Sequence, residues 1–213
     1  MYGIGNYVQT RAMTCLHAIS KIFFASCKLT DIGLALLTIY FVFIKQHTMT
    51  RVEVFLKEFD QEADITRKML SRVPDDKYDW KPHPKSMSVR ELVTHIAELP
   101  GWVKLGFTTE GLDFAANPYE QEPIGSTKEL LEYFEKTFAD SRQYLADADD
   151  EILDIPWILR NGEQIYDEGT KGGTVRVSLS QTIHHRAQLG VFLRLLNVPI
   201  PGSYGPSADE MGM

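Results

Sequence analysis

The chain has 213 residues, a net charge of −7 and 44% hydrophobic against 24% charged residues, the make-up of a globular protein with enough length for one sizeable core. That charge argues against nucleic acid as the main partner, because phosphate contacts want a basic surface. Both cysteines, Cys15 and Cys27, lie in the first 48 residues, so no thiol is left beyond them for catalysis, zinc or a disulfide, and a reducing, cytoplasmic setting is expected.

Residues 1–48 hold Arg11, Lys21, Lys28 and Lys45 against Asp31 alone, so this extension is basic and the rest of the chain carries more than the whole negative balance. Its uncharged apolar run, 32–44, falls short of the roughly 20 residues of a membrane-spanning helix. Two readings stay open. Residues 29–44 act as a hydrophobic membrane anchor, or translation starts at Met49 and residues 1–48 come from a start codon set too far upstream. The second is preferred, since Met49-Thr50-Arg51 opens directly into an amphipathic helix. The working domain is then 49–213.

From 54 to 73, Phe55, Phe59, Ile65, Thr66, Met69, Leu70 and Val73 recur with a period near 3.6 and predict a first helix, ended by Pro74. Trp80 and His83, between prolines, read as an ordered turn. Ser88-Val89-Arg90-Glu91 is a capping box opening a second helix, which places Leu92, His95, Ile96 and Leu99 on one stripe until Pro100-Gly101 interrupts it. After a polar loop, 111–125, Ser126-Thr127-Lys128-Glu129 is a second such box. It starts a third helix with Leu130, Leu131, Phe134, Phe138, Tyr144 and Leu145 inward, stopped by the acidic run 147–150.

The stretch 156–162 ends in Asn161-Gly162, which predicts a hairpin with a type I′ turn. Residues 169–174 read as a flexible glycine-rich connection whose spacing does not match a P-loop. Thr174-Val175-Arg176-Val177 alternates as a short strand would. Ser178-Leu179-Ser180-Gln181 predicts an N-cap at Ser178 for a last helix over 178–196, with Gln181, His185, Leu189, Phe192 and Leu196 on one stripe. Four long helical segments point to an all-α four-helix bundle with a small β-hairpin before the last helix.

His184 and His185 are about 100° apart around their helix, so one ion cannot face both. His185 is in register with Leu189 and Phe192 and is the inward one; His184 looks sideways or to solvent. A lone histidine on an apolar face is commonly a hydrogen-bonded core residue. Two of them, His95 and His185, on separate helices are also the beginnings of a metal site, because burying unpaired imidazoles has a cost.

Gln181, one turn before His185, is a weak ligand for zinc or nickel. Two other roles compete: fixing the tautomer of His185, or completing the cap at Ser178. Arg186 is placed either to bind an anionic cosubstrate or to pair with an acidic helix. A di-iron site fails for want of glutamates on the last helix, and no Gly-x-Ser-x-Gly elbow indicates a hydrolase triad.

His184-His185-Arg186-Ala187-Gln188-Leu189, continued by the stretches 192–199 and 204–210, resembles the DinB family of damage-inducible bundle proteins. Asp79-Trp80-Lys81-Pro82 and Glu91-Leu92-Val93-Thr94-His95 match its pattern too, and the resemblance spans about 51–210. It implies a DinB-like four-helix bundle that binds one divalent ion through three histidines, one from the second helix and two from the last, spaced i and i+4. By position His95 matches the first and His185 the third, while Gln181 stands where the second is expected.

Relatives of known activity look like thiol transferases that use bacillithiol, mycothiol or glutathione, with the metal favouring the thiolate. The expectation is a divalent metal (zinc, nickel or iron) at His95, His185 and Gln181, with His184 and Arg186 around it. The function implied is a metal-dependent thiol S-transferase or hydrolase acting on a small electrophile, with a low-molecular-weight thiol as cosubstrate. The alternative is a non-catalytic, stress-linked binding or dimerisation module with a degenerate metal site. A homodimer is compatible with either, although no stripe singles out an interface.

Overall fold

Residues 49–213 are described by a computed structural model. The readings made of 1–48, including the anchor at 29–44, lie outside the described residues. Helix α1 (Arg51–Leu70) begins at a full capping box: Thr50 Oγ1 accepts the Glu53 amide while the Glu53 carboxylate accepts the Thr50 amide. Asp150 also reaches in from a distant turn to accept the amides of Arg51 and Val52, so two of the helix's orphan donors are satisfied from outside it.

Helix α2 (Val89–Glu98) starts at the expected Ser88–Glu91 box, with both halves formed. Pro100 does interrupt the helix, and α3 (Gly101–Thr108) resumes it at once. Helix α4 (Thr127–Ala146) has Ser126 as its N-cap, but Glu129 closes only half of the expected box: its carboxylate accepts from the Gly125 amide, one residue earlier. A last helix, α5 (Lys171–Leu195), completes a bundle in which the α2–α3 pair takes one of four helical positions.

Two apolar clusters fill the bundle. Leu70, Leu92, Ile96, Phe134, Leu189 and Leu193 meet at one end, while Phe59, Val103, Leu145, Val175 and Leu179 meet at the other. Each such side chain, removed from water, contributes about 1.5–3 kcal/mol against the entropy of ordering the chain. Phe138 touches both clusters, stacked on Phe59 at 5.1 Å and on Phe134 at 6.2 Å. Among the described residues no helix is long and apolar enough to cross a membrane.

The β excursion differs from expectation in three ways. First, it has three strands, in the order β1 (Gly111–Asp113), β2 (Pro156–Asn161), β3 (Gln164–Thr170); β1 comes from the loop read as irregular and pairs parallel to β2. Close strand approach explains the glycine there: a Cβ on Gly111 would lie 2.4 Å from the Ile158 carbonyl oxygen.

Second, Asn161 pairs with Gln164, so the two-residue turn is Gly162-Glu163. Only Gly162 has positive φ, at 61°, which is the type II′ pattern rather than I′. Third, Thr174–Val177 is helical, not extended. Helix α5 starts seven residues earlier than the expected cap, with Thr170 Oγ1 accepting the Gly173 amide. Residues 169–174 are therefore strand end and helix start, not a flexible connection.

Packing explains this last correction. Thr174 and Val175 are buried, and the Thr174 methyl lies 3.0 Å from where a Cβ on Gly106 of α3 would sit. Tertiary contact overrides the local β preference of the sequence. Ser178, expected as a cap, is instead a buried mid-helix residue whose hydroxyl donates to the Leu99 carbonyl across the α2–α3 joint.

Candidate metal centre

Helices α2 and α5 bring His95 and His185 together, with ring centroids 4.7 Å apart and planes at 77°. Both histidines are half-buried, at the shoulder of the apolar seam rather than in it. The centre of α5's buried face is Ser178, Thr182, Arg186, Leu189 and Leu193. Periodicity alone placed His185 there; the structure turns the helix by one residue.

Each ring has one nitrogen held by a residue a turn later. His95 Nδ1 meets Glu98 Oε1 at 2.5 Å, and His185 Nδ1 meets Gln188 Oε1 at 2.8 Å. The other oxygen of Glu98 accepts from the Tyr119 hydroxyl at 2.9 Å, which ties the 114–126 loop to the site. Burial and the carboxylate push the Tyr119 hydroxyl pKa up, so it stays a donor. His184 is exposed; its ring lies 4.9 Å from that of His185, and its Nε2 lies 3.1 Å from the Gln188 amide nitrogen.

Neither of the competing roles drawn for Gln181 is seen. It is exposed, it stands well inside α5 rather than in a cap, and the oxygen on His185 belongs to Gln188. Glu98 and Gln188 were missed as site residues. The signal was present in the sequence, since both follow a site histidine by three positions, the helical spacing at which side chains meet.

Arg186 is buried, and its guanidinium is taken up by partners within the fold. Its guanidinium pairs with buried Glu62 of α1 at 2.6 Å, donates to Thr66 Oγ1 at 3.0 Å and donates to the Tyr204 hydroxyl at 2.8 Å. Tyr204 in turn donates to the Glu62 carboxylate. The ion pair with an acidic helix is the role that the structure contains.

A groove of about 370 Å³ opens beside His185, lined by Ser86, Met87, Leu92, Gln188, Val191 and Phe192. Trp80 packs edge-on against Phe192 at 5.7 Å and backs one wall. The His185 pKa is lowered, first by burial and then by the neighbouring His95 and His184, against the Gln188 bond that would raise it. A neutral imidazole is the form that ligates metal.

The donor set fits a divalent ion in part. Two imidazoles each keep Nε2 outside the hydrogen bonds just described, but among the described residues no group of three or more His, Cys, Asp or Glu side chains is placed to share an ion. Further ligands would have to come from Gln181, water or a bound molecule.

Comparison with known proteins agrees with this architecture. The sequence model of the DinB superfamily matches residues 58–189. The Bacillus subtilis protein YrdA is 23% identical over 161 residues, covering 73% of this chain and 89% of its own. Among solved structures, a DinB-like protein from Bacillus cereus superposes with a TM-score of 0.57 at 18% identity, over 70% of this chain and 95% of that one. The DinB-like protein YjoA from Bacillus subtilis gives 0.55 at 19% identity, over 70% and 96%.

Proposed function

Because this chain belongs to the DinB superfamily, we propose that it holds one divalent cation between α2 and α5 and acts on a small thiol or electrophile there. His95 and His185 would be the protein ligands, with Gln181 or water beside them. One observation carries the reading: two half-buried imidazoles from different helices meet edge to face, and one of them, His185, lines a groove. A bound zinc, nickel or iron ion would supply the charge that lowers the pKa of a coordinated thiol or water.

The chain's own residues set what can enter. Met87, Leu92, Val191 and Phe192 offer an apolar surface beside His185, in a groove sized for a small molecule. Among the described residues of that lining none is a lysine or arginine. Such a lining favours a small, largely apolar electrophile as the substrate of the proposed metal-dependent S-transfer or hydrolysis.

Zinc titration of the full-length protein, followed by calorimetry and metal analysis, tests the reading. Wild type is expected to hold about one ion per chain and to lose it in both His95→Ala and His185→Ala, since two protein ligands leave little redundancy. Absence of a stoichiometric ion, or retention of it in both variants, would leave a bundle that binds or dimerises without metal chemistry.

A further inference from the structure

Both site histidines carry the same device. On α2 it is His95-x-x-Glu98 and on α5 His185-x-x-Gln188, and in each the later residue places an oxygen on Nδ1 of the earlier one. We infer that Glu98 and Gln188 are positioning residues that hold both imidazoles in the Nδ1–H tautomer and so reserve the Nε2 lone pairs for the space between α2 and α5. The inference rests on the metal reading for its purpose, though not for its geometry.

An amide oxygen accepts and does not donate, and neither does an ionised carboxylate. Each Nδ1 must therefore carry the hydrogen, and in the neutral ring that leaves Nε2 as the unprotonated nitrogen. Which nitrogen of a histidine is free to ligate is set by the bond that the other one makes. Gln188 is fixed in turn: with Oε1 on His185, its amide NH₂ faces His184 Nε2 at 3.1 Å and donates to it. That gives exposed His184 a task as the outer anchor of the amide. Glu98 is fixed by the Tyr119 hydroxyl on its other oxygen.

Gln188 gives the cleaner test because it is exposed, so the fold tolerates its replacement. Two-bond ¹H–¹⁵N spectra of the imidazoles, recorded on metal-free full-length protein near pH 8, where an ordinary histidine of pKa about 6.5 is neutral, read the tautomer directly. Wild type is expected to show Nδ1–H at His185, assigned by its loss in His185→Ala. Gln188→Leu should move His185 towards Nε2–H, and Gln188→Glu, which keeps an oxygen acceptor, should restore Nδ1–H.

Zinc affinity should fall by about 10–100-fold in Gln188→Leu and recover in Gln188→Glu. An unchanged His185 tautomer in Gln188→Leu, or no recovery in Gln188→Glu, overturns the inference. Should the tautomers follow this pattern while wild type binds no zinc, it is the cation reading of the site that fails and the positioning role that stands.

Discussion

Arg186 is the largest fully buried side chain among the described residues, and its charge is answered by Glu62, 124 positions earlier in the chain. Removing one member of such a pair leaves the other charged and out of water, which is far worse than removing both. Arg186→Met should therefore cost about 3–5 kcal/mol of stability, while Arg186→Met with Glu62→Leu should recover most of that loss. Urea denaturation of the two variants and wild type reads the difference. Equal destabilisation of single and double variants would show that the guanidinium acts through packing, not charge. The sequence displayed Arg186 beside the histidines of a recognisable motif, but nothing local to it names a partner on α1. Its role was open for that reason, whereas His95 and His185 could be singled out from their own helices.

At the scale of elements, the capping boxes were readable because they are local, three residues from hydroxyl to carboxylate. At α2 the box also has an acid signature. Amide and hydroxyl of Ser88, then Lys81, favour the Glu91 anion and hold its pKa down at about 2 against an ordinary 4.5. A depressed carboxylate stabilises the fold above its ordinary pKa and loses that contribution as pH falls through the folded value. Glu91→Gln, which keeps the box but removes the charge, should thus be less stable than wild type near neutral pH, by roughly the 0.3–1 kcal/mol of an anion in a helix's first turn. The gap should close between pH 4.5 and about 2, in denaturation series or a carboxyl NMR titration.

The hairpin was readable in outline and wrong in register. Asn-Gly suggested I′, yet Asn161 joins the ladder and Gly162 alone takes φ of 61°. Gly162→Ala should cost about 1–2 kcal/mol, the penalty of a Cβ in the left-handed region, seen as a lowered melting temperature. An unaffected Gly162→Ala protein would place the turn's stability elsewhere. Strand β1 and the first seven residues of α5 could not be read at all. They depend on Ile158 and Gly106, partners far away in sequence.

Across the whole molecule, the bundle itself was legible because amphipathic stripes and caps are properties of each helix alone, while the angular setting of α5 depends on what its neighbours bury. That one-residue rotation puts Arg186 in the core and leaves His185 at the edge, where it meets His95. A cation shared by these two residues would join α2 to α5 across ninety positions of chain, and it would bind the folded form only. Zinc at 100 times its dissociation constant should add about 2.7 kcal/mol of stability. For a domain of this size that raises the melting temperature by about 5–10 °C. His95→Ala and His185→Ala should show no rise, and Gln181→His a larger one at the same zinc concentration, because a third imidazole one turn before His185 supplies a stronger donor than an amide oxygen. If Gln181→His gains nothing over wild type, α5 does not aim that position at the pair. The second ligand on this helix must then be sought elsewhere.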